Sequence, residues 1–300
     1  MVIEFNNDTV IEPNNFYCGD SSAVLKKFAP SSIDLVVCSP PYNDIRDYNG
    51  FVFPFEDIVT NLYTAMAQGG AVVWVVGDQV VAGSESGTSF EQALFFKKVG
   101  FYLHDTMIYE KNSSAFPARA SGNRYSQTFE YMFVFTKGKP KTVHLICDKK
   151  NRWEGWAGFG KVTMRGQDGE LKQRVQKPTP EFSPRTNVWC YYTGKNYSSK
   201  DELAYGHPAI FPYLLAFDMI RTFSNEGDLV VDIFSGSGTT PLMAKVLNRK
   251  YIGIDMSNEY CALGEKRLQE EHKYKVEEMV MESTRQYSSR FPNDSKKKEN

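Results

Sequence analysis

The chain of 300 residues is poor in the features that mark metal-bound, disulfide-linked or membrane proteins. Its five cysteines are odd in number, widely scattered and never spaced as C-x-x-C, which argues against a zinc site and a disulfide framework. No apolar stretch approaches the roughly 20 residues that span a membrane, and residues 1–7 show no signal-peptide pattern. These absences predict a cytoplasmic globular protein without a metal or a membrane segment.

Charge is distributed unevenly, although the net charge is only −1. Residues 1–136 carry 8 Lys and Arg against 15 Asp and Glu, and residues 201–300 carry 13 against 16. Residues 137–200 carry 14 against 5, with tryptophans and tyrosines among the charges. A basic segment with interleaved aromatic residues favours contact with nucleic acid. A solvated loop region with chance lysines is the alternative.

Short apolar runs alternate with helical patterns on both sides of this basic segment. Residues 33–38, 69–78 and 228–234 indicate strands, and a helix is predicted to open near Pro208. Strands that alternate with helices predict a mostly parallel sheet, so we expect a Rossmann-like, doubly wound α/β fold. Residues 137–199 are rich in Gly, Pro, Lys and Trp without clear periodicity, which indicates an insertion.

The strand over residues 33–38 ends in the sequence Ser39-Pro40-Pro41-Tyr42. Each proline lacks an N–H and cannot continue a strand ladder, so the chain must turn there. The turn carries a hydroxyl, backbone carbonyls and an aromatic ring, and open α/β sheets bind ligands at the carboxyl ends of their strands. The turn is therefore a candidate site, with a plain proline turn and a surface tyrosine as the alternative.

A glycine-rich turn follows the strand over residues 228–234. Gly236 and Gly238 can adopt positive φ, and the next helix directs free N–H groups at the turn. About twenty residues later, Asp255 ends a further strand, in position to accept hydrogen bonds from ribose hydroxyls. No lysine follows the glycines, so the pattern favours a nucleoside ligand without a triphosphate. A simple tight turn is the alternative.

Ser39-Pro40-Pro41-Tyr42 and the downstream sequence DIFSGSGTT (residues 232–240) together resemble the motifs of the β-group DNA amino-methyltransferases. In that group the catalytic motif comes first, a target-recognition region follows, and the cofactor-binding motif comes last. The resemblance covers about residues 16–136 and 186–268. It implies four segments: a catalytic half (1–136), a target-recognition region (137–199), a cofactor-binding half (200–272) and a C-terminal tail (273–300).

The resemblance implies S-adenosylmethionine as cofactor and assigns residues to it by position. The cofactor-binding residues would be Asp232, Phe234, Gly236, Ser237 and Gly238 in the turn, Thr239 and Thr240 beside the methionine portion, Asp255 at the ribose, Asp20 near the adenine, and His207, Pro208 and Phe211 on a helix by the methionine end.

The catalytic residues would be Ser39, Pro40, Pro41 and Tyr42. Tyr42 would stack on a base that has been extruded from the duplex. Ser39 Oγ and the Pro40 carbonyl would accept hydrogen bonds from the exocyclic amine and free its lone pair for in-line attack on the sulfonium methyl. Catalysis would come mainly from positioning.

Two positions at the start of the catalytic motif bear on the identity of the target base. Cytosine-N4 members of the group usually have Thr before the Ser, where this chain has Cys38, and adenine-N6 members more often have Asp in place of Ser39. The sequence favours cytosine N4 and leaves adenine N6 as the alternative. Cys38 ends an apolar strand without an adjacent His or Lys, so we expect a buried structural residue and not a nucleophile.

Double-stranded DNA is the expected substrate, and Arg165, Gln167 and Arg174 are candidates for reading bases. The predicted DNA contacts are Arg119, Arg124, Lys149, Lys150, Arg152, Lys161, Arg165, Gln167, Lys172 and Arg174. The resemblance also suggests a cognate restriction endonuclease and a homodimer. Two rival functions stay open, an N-methyltransferase of RNA or protein amides and a non-catalytic nucleic-acid-binding module.

Overall fold

The computed structural model describes residues 1–41, 53–113, 122–157, 162–174 and 177–291. Its strands are β1 (Val2–Glu4), β2 (Asn15–Cys18), β3 (Ile33–Cys38), β4 (Met66–Val76), β5 (Val80–Val81), β6 (Ser84–Glu85), β7 (Tyr102–Lys111), β8 (Phe129–Thr136), β9 (Lys149–Lys150), β10 (Val162–Arg165), β11 (Leu171–Arg174), β12 (Phe182–Ser183), β13 (Val188–Tyr191), β14 (Leu229–Asp232) and β15 (Lys250–Asp255). Its helices are α1 (Ser21–Leu25), α2 (Phe55–Ala65), α3 (Thr88–Val99), α4 (Tyr213–Phe223), α5 (Thr239–Val246), α6 (Asn258–Arg267) and α7 (Val276–Ser288), with 3₁₀ turns at Glu202–Gly206 and Leu268–Lys273.

One large sheet organises the described part of the chain, with strand order β1-β2-β15-β14-β3-β4-β8-β7-β13. Neighbouring strands are parallel except where β8 pairs with β4 and β7. Helices cover both faces, because Leu35 and Val37 of β3 join a core cluster with α4, α5 and α7, while Val36 and Cys38 join another with α1, α2 and α3. Burial on both faces explains why β3 is continuously apolar. The predicted doubly wound, Rossmann-like fold is confirmed.

Helix α4 begins later than the sequence predicted, which is a correction. It starts at Tyr213 with Pro212 as its N-cap, and residues 207–211 precede it as non-helical chain. A proline disfavours the helical conformation of the residue before it, so Phe211 cannot continue a helix into Pro212. The segment from His207 to Phe211 therefore leads toward the helix without belonging to it.

The insertion and the C-terminal part add elements that periodicity did not reveal. Residues 149–183 contain two small antiparallel pairings, β9 with β12 and β10 with β11, and β13 then joins the large sheet beside β7. Helix α7 buries Met279 and Tyr287 in the core. The proposed segment boundaries stay predictions. In the part of the chain described here, no helix is long and apolar enough to cross a membrane.

Candidate active site

Four neighbouring parallel strands end at one edge of the sheet, in the order β2, β15, β14 and β3. Just after or at their ends lie Asp20, Asp255, Asp232 and Ser39. The register aligns Cys18 with Asp255, and the Gly19 N–H donates a 2.9 Å hydrogen bond to the Asp255 carbonyl. The sheet thus brings together four residues that are far apart in the sequence.

Asp255 is tied to the backbone around it. Its carboxylate accepts a 2.8 Å hydrogen bond from the Gly236 N–H and a 2.9 Å hydrogen bond from the Ser257 N–H. Burial raises the pKa of Asp255 above its usual value, although those two N–H groups and the nearby His207 act in the opposite direction. The carboxylate therefore fixes the glycine turn while lying at the end of its own strand.

The glycine turn requires glycine at Gly238 for two reasons. Its φ is +76°, in the left-handed region, and a Cβ there would stand 2.8 Å from the Gly264 Cα and 2.9 Å from the Phe16 ring. Phe16 is fully buried, and its ring would be even closer to a Cβ at Gly253, at 2.5 Å, and at Gly264, at 2.6 Å. The turn thus packs directly on an aromatic ring, a contact that sequence reasoning missed.

Asp232 lies inside the protein between the glycine turn and β3. Its Oδ1 accepts a 3.0 Å hydrogen bond from the Phe234 N–H. Burial raises the pKa of Asp232 to about 7, and the charge of Asp255 adds to this shift. Burial, followed by the charge of Asp232, also raises the pKa of the fully buried Cys38 thiol well above its ordinary value. Cys38 is therefore a buried thiol, as predicted, and is unsuited to act as a nucleophile.

The structure describes only part of the predicted catalytic turn. Ser39 and Pro41 are half-buried and Pro40 is buried, whereas Tyr42 lies outside the described residues. Helix α5, which follows the glycine turn, is linked to β3, since the Thr240 hydroxyl donates a 3.2 Å hydrogen bond to the Val37 carbonyl. The predicted catalytic and cofactor motifs are thus neighbours in the fold.

An aromatic cluster flanks the end of β14. The ring of Phe234 lies 5.5 Å from that of Phe53 and 5.9 Å from that of Trp74, both edge to face. The register pairs Trp74 with Cys38, the residue directly before Ser39. An apolar wall of aromatic rings therefore lies beside the predicted catalytic turn.

His207 approaches the glycine turn from the segment before α4. Its Nε2 lies 3.0 Å from the point where a Cβ on Gly236 would stand, and its ring lies 4.3 Å from that of Tyr260. Pro208 is exposed, and Phe211 packs half-buried against the core. The structure thus brings His207 to the turn, while Pro208 and Phe211 lie in the segment between His207 and α4.

Sequence reasoning also missed a buried arginine. Arg267 of α6 and Asp201 are each 0% exposed and form an ion pair with an Nη2–Oδ2 distance of 3.0 Å. Arg267 Nη1 donates to the Ser237 carbonyl at 2.6 Å and to Thr239 Oγ1 at 3.0 Å. Its spacing of three residues from Gly264, which is also buried, offered a signal, because residues i and i+3 of a helix lie on the same face.

Several predicted DNA contacts lie on short strands of the insertion. Lys149 is half-buried and Lys150 exposed on β9, and the Arg152 guanidinium lies 5.3 Å from the centre of the Trp153 ring. Arg119 and Lys161 lie outside the described residues, and the side chain of Arg174 is not described.

Other predicted contacts are engaged locally. On the β10–β11 hairpin, Arg165 Nη1 donates to the Gly169 carbonyl at 3.2 Å, and Lys172 pairs with Asp168 at 2.5 Å. The cross-strand register places Arg165 and Lys172 on opposite faces of this hairpin, whose exposed turn contains Gln167. Arg124 donates a hydrogen bond to the Gly83 carbonyl.

The stem of the insertion is clamped to the core. Arg185 Nε donates to Asp148 Oδ1 at 2.8 Å, which joins the two ends of the segment that carries β9 to β12. Arg185 Nη1 donates to Asp218 Oδ2 of α4 at 2.9 Å, and Nη2 donates to Ser283 Oγ of α7 at 2.9 Å. The basic segment is thus fixed at its base to two helices of the main fold.

This fold, with acidic strand ends, a glycine turn and a Ser-Pro-Pro turn at one edge, defines a Rossmann-like methyltransferase. The chain belongs to the N6/N4 DNA methylase family, whose model matches residues 33–266. It is therefore a DNA methyltransferase of the family that modifies adenine N6 or cytosine N4.

Proteins similar to this chain include DNA methyltransferases of bacteria. The chain is 52% identical over 238 residues to the orphan methyltransferase M.BamHII of Bacillus amyloliquefaciens. The aligned stretch covers 79% of this chain and 89% of the relative. The chain is 28% identical over 267 residues to the DNA adenine methyltransferase YhdJ of Escherichia coli K12, covering 87% and 85%. A solved DNA modification methylase of Thermus thermophilus, complexed with S-adenosyl-L-methionine, has the same fold, with a TM-score of 0.57, 24% identity and coverage of 86% and 93%.

Proposed function

We propose that the protein methylates an exocyclic base amine at specific sites in double-stranded DNA, with cytosine N4 preferred over adenine N6. The observation that carries the proposal is the convergence of the Ser39 turn and the Gly236 turn at one sheet edge, linked by the hydrogen bond from Thr240 to the Val37 carbonyl. A methyl donor bound at one turn and an amine held at the other would be neighbours. This arrangement suits direct transfer without a covalent protein intermediate.

S-adenosylmethionine is the methyl donor of this enzyme and supplies an activated methyl on a sulfonium. The strand ends suit such a molecule, because Asp20 follows β2 and Asp255 ends the neighbouring strand β15, at the edge where an adenosine would need acceptors. Asp20 Oδ1 also caps α1 through the Ala23 N–H at 3.0 Å. The glycine turn allows the backbone to approach the cofactor closely, and the negative charges of the acidic residues attract the positive charge of the cofactor.

The catalytic turn would act on the acceptor amine. Its lone pair is delocalised into the base ring, so the amine is a poor nucleophile until that delocalisation is reduced. Ser39 Oγ and the Pro40 carbonyl would accept hydrogen bonds from its N–H groups and draw the nitrogen toward tetrahedral geometry. Tyr42 would stack on the flipped base, and the wall formed by Phe234 and Phe53 would exclude water from the same side.

Cytosine N4 is preferred here because Ser39, and not an aspartate, opens the Pro-Pro-Tyr motif. Adenine N6 is the second candidate, favoured by the similarity to an enzyme described as a DNA adenine methyltransferase.

We also propose that the basic insertion binds the DNA and that the protein acts without a dedicated endonuclease, since its 52% identical relative is an orphan methyltransferase. A homodimer stays a prediction.

The test is mass spectrometry of nucleosides from DNA incubated with the protein and S-adenosylmethionine carrying a labelled methyl group. Labelled N4-methylcytosine would support the full proposal. Labelled N6-methyladenine would support the mechanism and overturn the preference for cytosine. Label in RNA or protein added as competitor, with none in DNA, would contradict the proposal.

A further inference from the structure

Arg267 and Asp201 form a two-point ion pair beside the glycine turn, although neither belongs to the motifs that identify the site. Arg267 Nε lies 3.0 Å from Asp201 Oδ1, and Nη2 lies 3.0 Å from Oδ2. Both side chains are completely buried. Such a bidentate arrangement fixes the guanidinium plane as well as its position.

The remaining nitrogen of Arg267 is directed at the turn. Nη1 donates to the Ser237 carbonyl at 2.6 Å, and to Ser237 Oγ and Thr239 Oγ1 at 3.0 Å each. Ser237 and Thr239 lie on either side of Gly238, the residue that holds a φ of +76°. One guanidinium therefore holds both sides of the left-handed residue in the turn.

Asp201 extends the same connection to the segment that carries His207. Its Oδ1 accepts a 3.0 Å hydrogen bond from the Ala204 N–H and so caps the 3₁₀ turn Glu202–Gly206, which His207 follows directly. Its Oδ2 accepts a 2.6 Å hydrogen bond from the Tyr274 hydroxyl. Burial would raise the pKa of Asp201, but the hydrogen bonds and charge of Arg267 outweigh it and hold the pKa below its usual value.

Stability alone does not account for this pair. Removing two charges from water is costly, and replacement of a buried ion pair by apolar residues is often neutral or stabilising. The distinctive contribution of Arg267 is the set of hydrogen bonds to Ser237 and Thr239, which an apolar residue cannot make. The pair joins the two segments, 236–239 and 201–207, that face each other where His207 approaches Gly236.

We propose that Arg267 and Asp201 are positioning residues that hold the glycine turn and the His207 segment in the conformation that binds S-adenosylmethionine. This inference rests on the proposed cofactor role of the glycine turn. It assigns to the pair an effect on cofactor affinity and none on the methyl-transfer step itself.

The main test is Arg267→Lys, which keeps the charge and loses the fork that reaches both Asp201 and the turn. The dissociation constant for S-adenosylmethionine, measured by titration calorimetry, should rise by about tenfold or more, as expected for loss of a charge-assisted hydrogen bond. At saturating cofactor, kcat and the KM for DNA should stay close to wild type. A wild-type cofactor affinity would overturn the proposal.

Arg185→Lys is the matched control, because Arg185 is as deeply buried as Arg267 and is likewise ion-paired, in its case with Asp148 and Asp218. It should lower the stability of the fold and leave the cofactor dissociation constant unchanged. If it weakened cofactor binding as much as Arg267→Lys, the effect would reflect general destabilisation and the proposal would fail.

A double variant, Arg267→Met with Asp201→Leu, separates positioning from stability. Replacing both charges should restore the thermal midpoint, while cofactor binding stays weak because Ser237 and Thr239 have lost their donor. Recovery of both properties would overturn the proposal.

Asp255→Asn tests the cofactor turn itself. If Asp255→Asn weakened cofactor binding and Arg267→Lys did not, the positioning role of Arg267 would be refuted and the cofactor role of the turn would stand. Normal binding in both variants would refute the cofactor turn as well.

Discussion

The carboxylate of Asp255 accepts a 2.8 Å hydrogen bond from the N–H of Gly236, so the end of β15 fixes the turn that follows β14. Ser257 donates a second backbone hydrogen bond at 2.9 Å to the other carboxylate oxygen. A carboxylate has about four acceptor positions, so capacity remains for ribose hydroxyls. Asp255 can therefore shape the turn and bind the ligand of that turn.

Asp255→Asn should weaken S-adenosylmethionine binding by about tenfold or more, because the amide replaces an acceptor with a donor that opposes a backbone N–H. Titration calorimetry gives the dissociation constant. The control is Asp105→Asn, since Asp105 is exposed on β7 and should not affect the affinity. A change of less than twofold in Asp255→Asn would contradict the assigned role.

Gly238→Ala should destabilise the protein more than Gly227→Ala does. Both glycines have positive φ, +76° and +81°, but only at Gly238 would a Cβ meet other described atoms within 4 Å. Strain alone should cost Gly227→Ala about 1–2 kcal/mol of unfolding free energy. Overpacking against Phe16 should add about 1–3 kcal/mol in Gly238→Ala. Urea unfolding measures both variants, and equal losses would contradict the packing of the turn on Phe16.

The buried carboxyl of Asp232 should make stability depend on pH. Its pKa is raised to about 7 in the folded protein, whereas an unfolded aspartate loses its proton near pH 4. The native state therefore binds the extra proton between these values, and the unfolding free energy should fall by a few kcal/mol as pH rises from about 4 to about 7.

Asp232→Asn removes that proton equilibrium and is the reference for this measurement. Relative to Asp232→Asn, wild type should lose unfolding free energy as pH rises to about 7. Above that pH the difference between the two proteins should stay constant. Urea unfolding at a series of pH values gives the curve. A difference that is constant over the whole range would show that Asp232 does not retain its proton.

Lys150→Ala should weaken DNA binding equally on all sequences, because an exposed lysine on β9 suits phosphate contact. The slope of log affinity against log salt concentration should become shallower by about 1. Lys250→Ala is the control, since Lys250 is exposed at the start of β15, at the edge opposite the candidate site. Identical salt slopes for Lys150→Ala and wild type would remove Lys150 from the DNA-binding surface.

The parts of the fold that depend on local signals could be predicted from the sequence. The strand before Ser39 and the turn at Gly236 are marked by apolar runs that end in proline or glycine. Pro208 wrongly predicts an early start for α4, because Pro212 disfavours the helical conformation at Phe211 and the helix begins only at Tyr213.

Long-range partners could not be predicted in this way. Arg267 meets Asp201 across 66 residues, and the Phe16 ring packs against glycines more than 200 positions away. Such contacts depend on strand order and helix placement, which periodicity does not determine. Helical spacing could have identified Arg267 as buried, but not the turn that it holds.

The most direct test of the central claim is a single-turnover methyl-transfer assay that compares Ser39→Ala with wild type at saturating S-adenosylmethionine and DNA. The account predicts normal cofactor binding and methyl transfer slowed by about 100-fold, because the amine loses a positioned acceptor only at the reacting step. Transfer at the wild-type rate by Ser39→Ala would contradict the assignment of this strand end as the catalytic centre.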